Sequence, residues 1–178
     1  MDKLTIIPLK SVNGVHFGAT KNEVRKVLGS DYENSIEEMN KPMNQEEKKA
    51  INAVEDAIKA LYQHMGKDPN SFEWPDISEF EEDNDTYNLV QIEYEENKFV
   101  SATIYVQDIK HLTVFDYDCS DFEIEKILTL AKDFVWDEED TTWLSKSRQI
   151  AIYCSEGKRK IDSITFGCPG YFDYLEED

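Results

Sequence analysis

The sequence has little positive charge. Lys and Arg together number 19, against 38 Asp and Glu, which gives a net charge of −19 at neutral pH. Nucleic acids and anionic membrane surfaces attract proteins through Lys and Arg that meet their phosphates. The charge balance therefore argues against both as partners, and it favours a basic protein as the partner.

Long hydrophobic runs are also lacking. No stretch approaches the roughly 18 apolar residues that a membrane-spanning helix needs. The apolar segment near the N-terminus, Leu4 to Leu9, is short and is interrupted by Pro8. Because a secretory signal peptide needs a longer apolar core, the sequence predicts a cytoplasmic protein.

Cysteine is scarce and shows no paired spacing. Cys119, Cys154 and Cys168 are odd in number, whereas a disulfide framework needs pairs and a zinc site needs closely spaced Cys or His. We expect three small buried hydrophobic residues in a reducing compartment, and no metal site.

Recognisable catalytic motifs are missing too. Gly157-Lys158 lacks the earlier glycine and the following hydroxyl residue of a phosphate-binding loop. Asp83-Asn84-Asp85 is only a faint match to a calcium loop, because Asn88 and Tyr94 replace its glycine and its bidentate glutamate. We therefore expect neither a cofactor nor enzymatic activity.

What the sequence does contain is a segment type that occurs twice. A turn at Asn13–Thr20 leads into a helix at 21–29, and a turn at Val114–Ser120 leads into a helix predicted from Asp121 to Trp136 with Ser120 as its N-cap. Each helix is followed, after an intervening stretch, by two runs with strand-like alternation. These runs are Leu89–Tyr94 with Lys98–Val106, and Gln149–Cys154 with Lys160–Phe166.

The repetition predicts the fold class. Two helix-strand-strand units that share one core indicate an α+β fold with a mostly antiparallel sheet of about six strands. We predict a single domain over 1–178, with repeat unit one at about 10–107, an insertion in it at 30–87, and repeat unit two at about 109–167. Further short strands are expected at Leu4–Leu9 and Ile109–Tyr117.

The insertion contains the clearest helix of the sequence, predicted from Gln45 to Met65. Asn44 and Glu47 form an N-terminal capping pattern, and Gly66 follows the helix. An apolar stripe along the helix predicts that it packs on the sheet together with the two repeat helices.

The rest of the insertion suggests a place for a partner. Lys67–Asn88 is predicted to be a loop, and every charged residue from Glu73 to Asp85 is acidic, with large aromatics between them. Aromatics supply contact area, while carboxylates steer a basic partner. A second acidic and aromatic patch closes the sequence. The predicted partner-binding residues are Trp74, Phe80, Glu81, Glu82, Asp83 and Asp85, with Tyr171, Phe172 and Tyr174 as the second patch. The competing interpretation is that the aromatics lie in the core and the acids only solvate a loop.

One segment resembles known modules. From Asn13 to Gly29, a glycine, an aromatic, a second glycine and a hydroxyl N-cap precede a helix that ends in Leu28-Gly29. This order is similar to the opening of SmpA/OmlA-like domains and of tandem-repeat β-lactamase-inhibitor-like proteins. The small, acidic and aromatic-rich composition also resembles that of immunity proteins that neutralise bacterial toxins.

These observations together favour a binding function. We expect a non-enzymatic, acidic protein-binding module, most specifically an immunity or inhibitor protein for a basic bacterial toxin. Two alternatives stay open: a regulatory cytosolic binding protein, and a hydrolase with a carboxylate-lined site.

Overall fold

The computed structural model describes residues 3–73, 82–88, 90–106, 109–155 and 160–173. They fall into two compact units, one formed by residues 1–35 with 82–178 and the other by residues 36–81. The smaller unit lies inside the predicted insertion, 30–87.

The elements of the first half of the larger unit are β1 (Lys3–Ile7), β2 (Ser11–Val12), β3 (Val15–His16), α1 (Lys21–Leu28) and β4 (Glu33–Asn34). The smaller unit contains α2 (Ser35–Met39), whose first residue belongs to the larger unit, and α3 (Gln45–His64). The chain then continues with β5 (Asp83–Tyr87), β6 (Val90–Glu95), β7 (Lys98–Tyr105), β8 (His111–Val114) and β9 (Tyr117–Asp118). The last elements are α4 (Ile124–Ile127), a 3₁₀ turn (Leu128–Leu130), β10 (Val135–Asp137), β11 (Thr142–Ser145), β12 (Ile150–Cys154) and β13 (Ile161–Gly167).

The strands form two sheets, which confirms the predicted α+β class. The larger sheet has eight strands in the order β10-β11-β12-β13-β7-β6-β5-β4, and every neighbouring pair is antiparallel. The smaller sheet has five strands in the order β3-β2-β1-β8-β9, in which β1 and β8 run parallel. The expected single sheet of about six strands is thus wrong in number, because short strands that the sequence pattern misses extend both sheets.

The two halves of the larger unit follow the same order. Each starts with a strand at the centre of the small sheet, β1 or β8, continues through a turn and a helix, and ends in four consecutive strands of the large sheet. The halves meet where β7 pairs with β13 and where β1 pairs with β8. This arrangement matches the duplicated units that the sequence predicts, and each half supplies one side of both junctions.

One continuous core lies between the two sheets and the helices α1 and α4. Val24 of α1 and Ile127 of α4 are fully buried in the same cluster as Ile92, Ile104 and Ile164 of the large sheet. Strands alternate their side chains between two faces, so only every second residue of these strands enters the core. The core therefore covers one face of the eight-stranded sheet.

The segment at 13–29 folds as the sequence predicts. Thr20 and Glu23 form a complete capping box at the start of α1, and Gly29 follows its end. Gly18 takes a φ of 81°, a conformation that favours glycine. That turn places the Phe17 ring 4.7 Å from the ring of Phe99, and the backbone of Gly18 donates to the Phe99 carbonyl. The turn therefore attaches α1 to the start of β7.

The predicted second repeat helix, Asp121 to Trp136, is wrong. The helix is only the four residues of α4, its N-cap is Glu123 instead of Ser120, and it makes no side-chain cap hydrogen bond. Tertiary contacts explain the difference. Trp136 enters strand β10 and packs on Trp143 of β11, with ring centroids 5.4 Å apart. Helical continuation would remove this pairing.

A carboxylate fixes the chain just after the shortened helix. Asp133 accepts hydrogen bonds from the Ser145 hydroxyl at 2.7 Å and from the Ser147 backbone and hydroxyl at 2.9 Å and 2.8 Å. Burial works against its charge, but the hydrogen bonds from Ser147 and Ser145 hold the pKa of Asp133 below its usual range. These bonds join the segment after α4 to the end of β11 and to the turn that follows it.

The predicted loop Lys67–Asn88 is also partly wrong, because its last residues form strand β5. Asp83–Tyr87 pairs along its whole length with β6. The alternation there is hidden in the sequence, since polar Asp83 and Asp85 occupy the core-side positions that apolar residues normally take.

The helix α3 of the smaller unit confirms the predicted helix at Gln45–Met65, including the Asn44–Glu47 capping box. Within the smaller unit no residue of α3 is buried, and Val54 and Leu61 are 49% and 55% exposed. The expected packing of its apolar stripe on the sheet stays a prediction. Within the unit, Tyr62 contacts Phe72 edge to face at 6.1 Å.

Replacing Asp133 by Ala tests the role of its three hydrogen bonds. Because the residue is exposed and solvent screens it, we expect a loss of about 1 kcal/mol in the free energy of unfolding at pH 7. The lowered pKa of Asp133 means that this stabilisation is present above about pH 4 and disappears as the pH falls through the folded-state pKa. Urea unfolding at several pH values measures it. Asp116→Ala, an exposed carboxylate, is the matched control, and an equal effect of both changes would contradict this role.

A candidate binding face on the eight-stranded sheet

The face of the large sheet opposite the core is mostly polar, although Val135, Leu144 and Ala151 also lie on it. In β6, Gln91 and Glu93 alternate with the buried Val90, Ile92 and Tyr94. Register extends this alternation to the neighbouring strands, because residues paired across strands share a face. We call the following set the polar face: Asn84, Thr86, Gln91, Glu93, Ser101, Thr103, Tyr105, Thr142, Tyr153, Ser163 and Thr165.

Hydrogen bonds between strands hold these side chains in place. The Ser101 hydroxyl donates to Glu93 Oε2 at 2.6 Å, and the Tyr105 hydroxyl donates to Gln91 Oε1 at 3.0 Å. The hydroxyls of Thr103 and Thr165 lie 2.8 Å apart at the junction of the two halves. The face is therefore a preorganised polar surface to which both halves of the chain contribute.

A cavity of about 130 Å³ opens on this face. Strands β5, β6 and β7 of the first half and β12 and β13 of the second half line it, together with the turn after β13. The lining residues are Glu82, Asn84, Gln91, Glu93, Ser101, Thr103, Tyr153, Thr165, Tyr171 and Phe172. None of these ten residues is basic, and two of them are carboxylates.

The turn after β13 forms one wall of the cavity. The Tyr171 hydroxyl donates to Glu93 Oε2. Gly167 makes the approach of this ring possible, since a Cβ atom at that position would lie 2.5 Å from the Tyr171 Cβ. Phe172 is 2% exposed, and its backbone N–H donates to Gln149 Oε1 at 2.6 Å.

Acidic and aromatic groups continue beyond the cavity. A second, more open cavity of about 470 Å³ adjoins it. The two cavities share the lining residues Glu82, Glu93 and Tyr171, and Glu95 lines only the second. Tyr153, which lines the first cavity, is 38% exposed, and Tyr105 on the same face is 42% exposed. The polar face thus combines exposed aromatic rings with carboxylates.

The structure brings together one member of the first predicted partner-binding patch and two of the second. Glu82 from the first patch lines the same cavity as Tyr171 and Phe172 from the second. Asp83 is partly exposed, and it forms an ion pair with Lys21 at 2.5 Å. Trp74, Phe80, Glu81 and Tyr174 lie outside the described residues.

Asp85 does not face a partner, so its assignment to the binding edge is wrong. Its side chain is fully buried on the core side of β5. Arg25 binds it with two hydrogen bonds, from Nε at 2.8 Å and from Nη2 at 2.7 Å. The Asn34 amide at 2.9 Å and the Tyr94 hydroxyl at 2.8 Å complete its environment.

The charge of Asp85 is stabilised in place. Burial opposes the charge, but the hydrogen bonds from Arg25, Tyr94 and Asn34 keep the pKa of this carboxyl below its usual range. Burial and the hydrogen bond to Asp85 raise the pKa of the Tyr94 phenol, which therefore remains a donor. Asp85 therefore stabilises the core and does not belong to the exposed surface.

The assignment of Phe172 to a partner-facing patch is also wrong. The sequence pattern places it at a partner-facing patch, but its ring is buried and meets the Tyr171 ring edge to face at 4.9 Å. An aromatic in a short C-terminal turn gives no periodicity from which burial could be inferred. Phe172 therefore supports the cavity wall and is not an exposed anchor.

Most residues of the polar face were not predicted as site residues, although the sequence contains a pattern that indicates them. Gln91 and Glu93 of β6, Ser101 and Thr103 of β7, and Ser163 and Thr165 of β13 each alternate with core residues. Period-two alternation predicts a solvent-facing side of a sheet. It does not say that three strands from distant parts of the chain are neighbours.

In the part of the chain that the structure describes, no group of three or more His, Cys, Asp or Glu side chains is arranged to hold a metal ion. Burial raises the pKa of the Cys119, Cys154 and Cys168 thiols, which keeps them protonated at neutral pH. Among the described helices, none has the length and apolarity to cross a membrane.

Comparison of the chain with protein-family models, curated proteins and solved structures gives no match. The similarity of residues 13–29 to inhibitor-like modules, and that of the composition to immunity proteins, stay predictions.

Replacing Asp85 by Asn tests its structural role. Loss of the charge leaves Arg25 beside the core without its partner, so we expect a loss of about 3 kcal/mol or more in the free energy of unfolding at pH 7. Because the folded-state pKa of Asp85 is lowered, the difference from the parent protein should shrink as the pH falls below about 4.

Asp83→Asn is the control for this experiment. Its ion pair with Lys21 is partly exposed to solvent, so it should lose about 1 kcal/mol or less. Denaturant unfolding of both variants measures the two effects. Equal stability of Asp85→Asn and the parent protein would contradict the structural role of Asp85.

Proposed function

We propose that the protein is a non-enzymatic binding module whose polar face receives a basic protein. The observation that carries the proposal is the combination on this face of exposed tyrosines, carboxylates and a cavity without any basic lining residue. The net charge of −19 adds a long-range attraction for a basic partner. In its most specific form, the proposal is a cytoplasmic immunity or inhibitor protein for a basic bacterial toxin.

The geometry of the face supports recognition of a protein. Tyr105 and Tyr153 occupy one row across β7, β13 and β12, with Ser163 between them. Tyrosines offer large contact areas with few rotatable bonds, and hydroxyl and amide side chains around them supply adaptable hydrogen bonds. Such a sheet surface is rigid, since cross-strand hydrogen bonds hold its side chains before a partner arrives. The same features would suit a regulatory binding protein. The identity of the partner distinguishes this alternative from an immunity or inhibitor protein.

The first test is protection. The experiment takes as candidate toxin any basic protein encoded next to the gene of this chain, and it measures bacterial growth while that candidate is expressed with or without this protein. Restored growth and a stable purified complex support the proposal. A neighbouring gene product that is inert, or whose toxicity this protein leaves unchanged, contradicts the immunity function.

Binding kinetics then test the polar face itself. Glu82→Ala with Glu95→Ala should slow association several-fold at low salt and hardly at all at high salt, because exposed carboxylates act through long-range attraction. Tyr105→Ala with Tyr153→Ala should shorten the lifetime of the complex about tenfold or more, because central aromatics govern dissociation.

Glu125→Ala is the matched control, since this exposed carboxylate lies on α4, away from the polar face. Surface plasmon resonance at two salt concentrations measures all variants. Unchanged association and dissociation rates in both double variants would show that a partner binds elsewhere.

A further inference from the structure

The helix α3 exposes an apolar stripe along most of its length. Val54, Leu61 and Met65 on this stripe are each about half exposed to solvent, and no residue of α3 is buried. The capping box at Asn44 fixes the start of the helix. Capping and propensity alone leave a helix of this length marginally stable in water, because most helical stability comes from packing of the apolar side. A cover over the stripe would therefore stabilise α3.

The spacing of the stripe is that of a coiled-coil seam. Its apolar residues follow one another in alternating steps of three and four, and they are Ile51, Val54, Ile58, Leu61 and Met65. Helices that pack on a globular core carry a wider stripe, which includes one flanking row, whereas the narrower seam is typical of paired helices. One flank of this seam consists of Ala50, Ala57 and His64, and the other of Lys48, Glu55 and Tyr62. The stripe therefore fits another helix better than it fits a sheet.

No other helix among the described residues matches this seam in length. In the smaller unit, α2 has five residues. In the larger unit, α1 has eight and α4 has four, and they bury Val24 and Ile127 in their own core. The helix of matching length that the chain itself offers is α3, with 20 residues, in a second copy.

The charges of α3 complement a second copy in one orientation. Acidic Glu46 and Glu47 occupy its first turn, and His64 lies in its last turn. Lys67 follows the helix, and its backbone N–H donates to the Tyr62 carbonyl at 2.9 Å. In an antiparallel pair, the acidic start of each helix lies beside the basic end of the other and the helix dipoles attract, whereas a parallel pair brings the two acidic starts together. The helix is thus complementary to itself about a two-fold axis.

We propose that α3 docks antiparallel on α3 of a second copy of this chain. Ile51 then lies opposite Leu61 of the other copy and Val54 opposite Ile58, which places Glu47 beside the basic end. The helix carries four carboxylates and three lysines, so it adds little to the repulsion between two chains of net charge −19. The proposal goes beyond the proposed function, because it concerns a different surface and a different partner.

Analytical ultracentrifugation of the full chain tests the proposal. Over about 5–500 µM protein, we expect a monomer–dimer equilibrium with a dissociation constant on the order of 10–100 µM, because a seam of five apolar positions is short. Leu61→Asp should weaken the dimer about 100-fold or more, since it leaves an unpaired charge in the seam. Gln63→Asp is the matched control, because it adds the same charge to the exposed side of the same turn, and the dimer should persist.

Two outcomes of this experiment overturn the proposal. One is a chain that sediments as a monomer at every concentration, which is the result that packing of the stripe on the protein's own sheet would give. The other is a dimer that Leu61→Asp and Gln63→Asp change equally, since the two copies then join through another surface.

Glu47→Gln tests the orientation of the two helices. Glutamine keeps an acceptor for the Asn44 backbone N–H in the capping box and removes the charge. An antiparallel dimer should weaken about threefold, because Glu47 loses its attraction to Lys67 of the other copy. In a parallel dimer, the same change removes the repulsion between two neighbouring glutamates and tightens binding. An unchanged or tighter dimer therefore overturns the proposal.

Hydrogen exchange of the parent protein provides a test without any substitution. Amides of residues 51–65 should be more protected at high than at low protein concentration, while those of β6 stay unchanged. A dimer without this protection overturns the proposal. Dimerisation through α3 without any basic protein partner supports this inference and contradicts only the proposed function.

Discussion

The buried pair of Arg25 and Asp85 is the interaction on which the described architecture depends most. It joins α1 to β5 across a sequence separation of 60 residues, and its carboxylate is fully buried. Asn34 donates to Asp83, Asn84 and Asp85 at the same place, and the Ser35 hydroxyl donates to the Glu82 carbonyl at 2.7 Å. The chain leaves the larger unit after Ser35 and returns at Glu82. This polar cluster therefore closes the base of the insertion, which lets residues 36–81 form a unit of their own without opening the sheet.

The position of this cluster also determines which residues of β5 lie on each face of the large sheet. The core, the helices and the five-stranded sheet occupy one face, and Asp85 is directed to that side with Arg25. Asn84, one residue earlier, necessarily points to the other side, where it lines the cavity. The cavity needs both halves of the chain, since β5 to β7 come from the first and β12 and β13 from the second. Neither repeat could form it alone, and the duplication thereby creates a site that neither half contains.

The sequence predicted the parts of this structure that local patterns determine. The capping boxes at Thr20 and Asn44 set the starts of α1 and α3, and alternation identified the hairpins β6–β7 and β12–β13. It failed where distant residues override the local pattern. Trp136 leaves a helical pattern to pair with Trp143, and Asp85 looks like a surface acid because its partner Arg25 is far away in sequence. For the same reason the cavity was not predictable: Glu82 and Tyr171 were both selected as candidates, but only the strand order places them together.

The polar face has features that stability alone does not explain. A sheet surface that serves only the fold would pair its buried amide oxygen and place Lys or Arg beside its carboxylates, as α1 does for Asp83 and Asp85 on the core side. On the polar face, Asn84 instead keeps a buried side-chain oxygen without a hydrogen-bond partner among the described residues, and the carboxylates of the cavity have no basic neighbour in its lining. Local departures from good packing and pairing are expected at functional sites, where the ligand completes what the free protein lacks. The two faces of β5 therefore differ: Asp85 is fully satisfied by its own chain on the core side, whereas the side-chain oxygen of Asn84, on the opposite side, has no hydrogen-bond partner among the described residues.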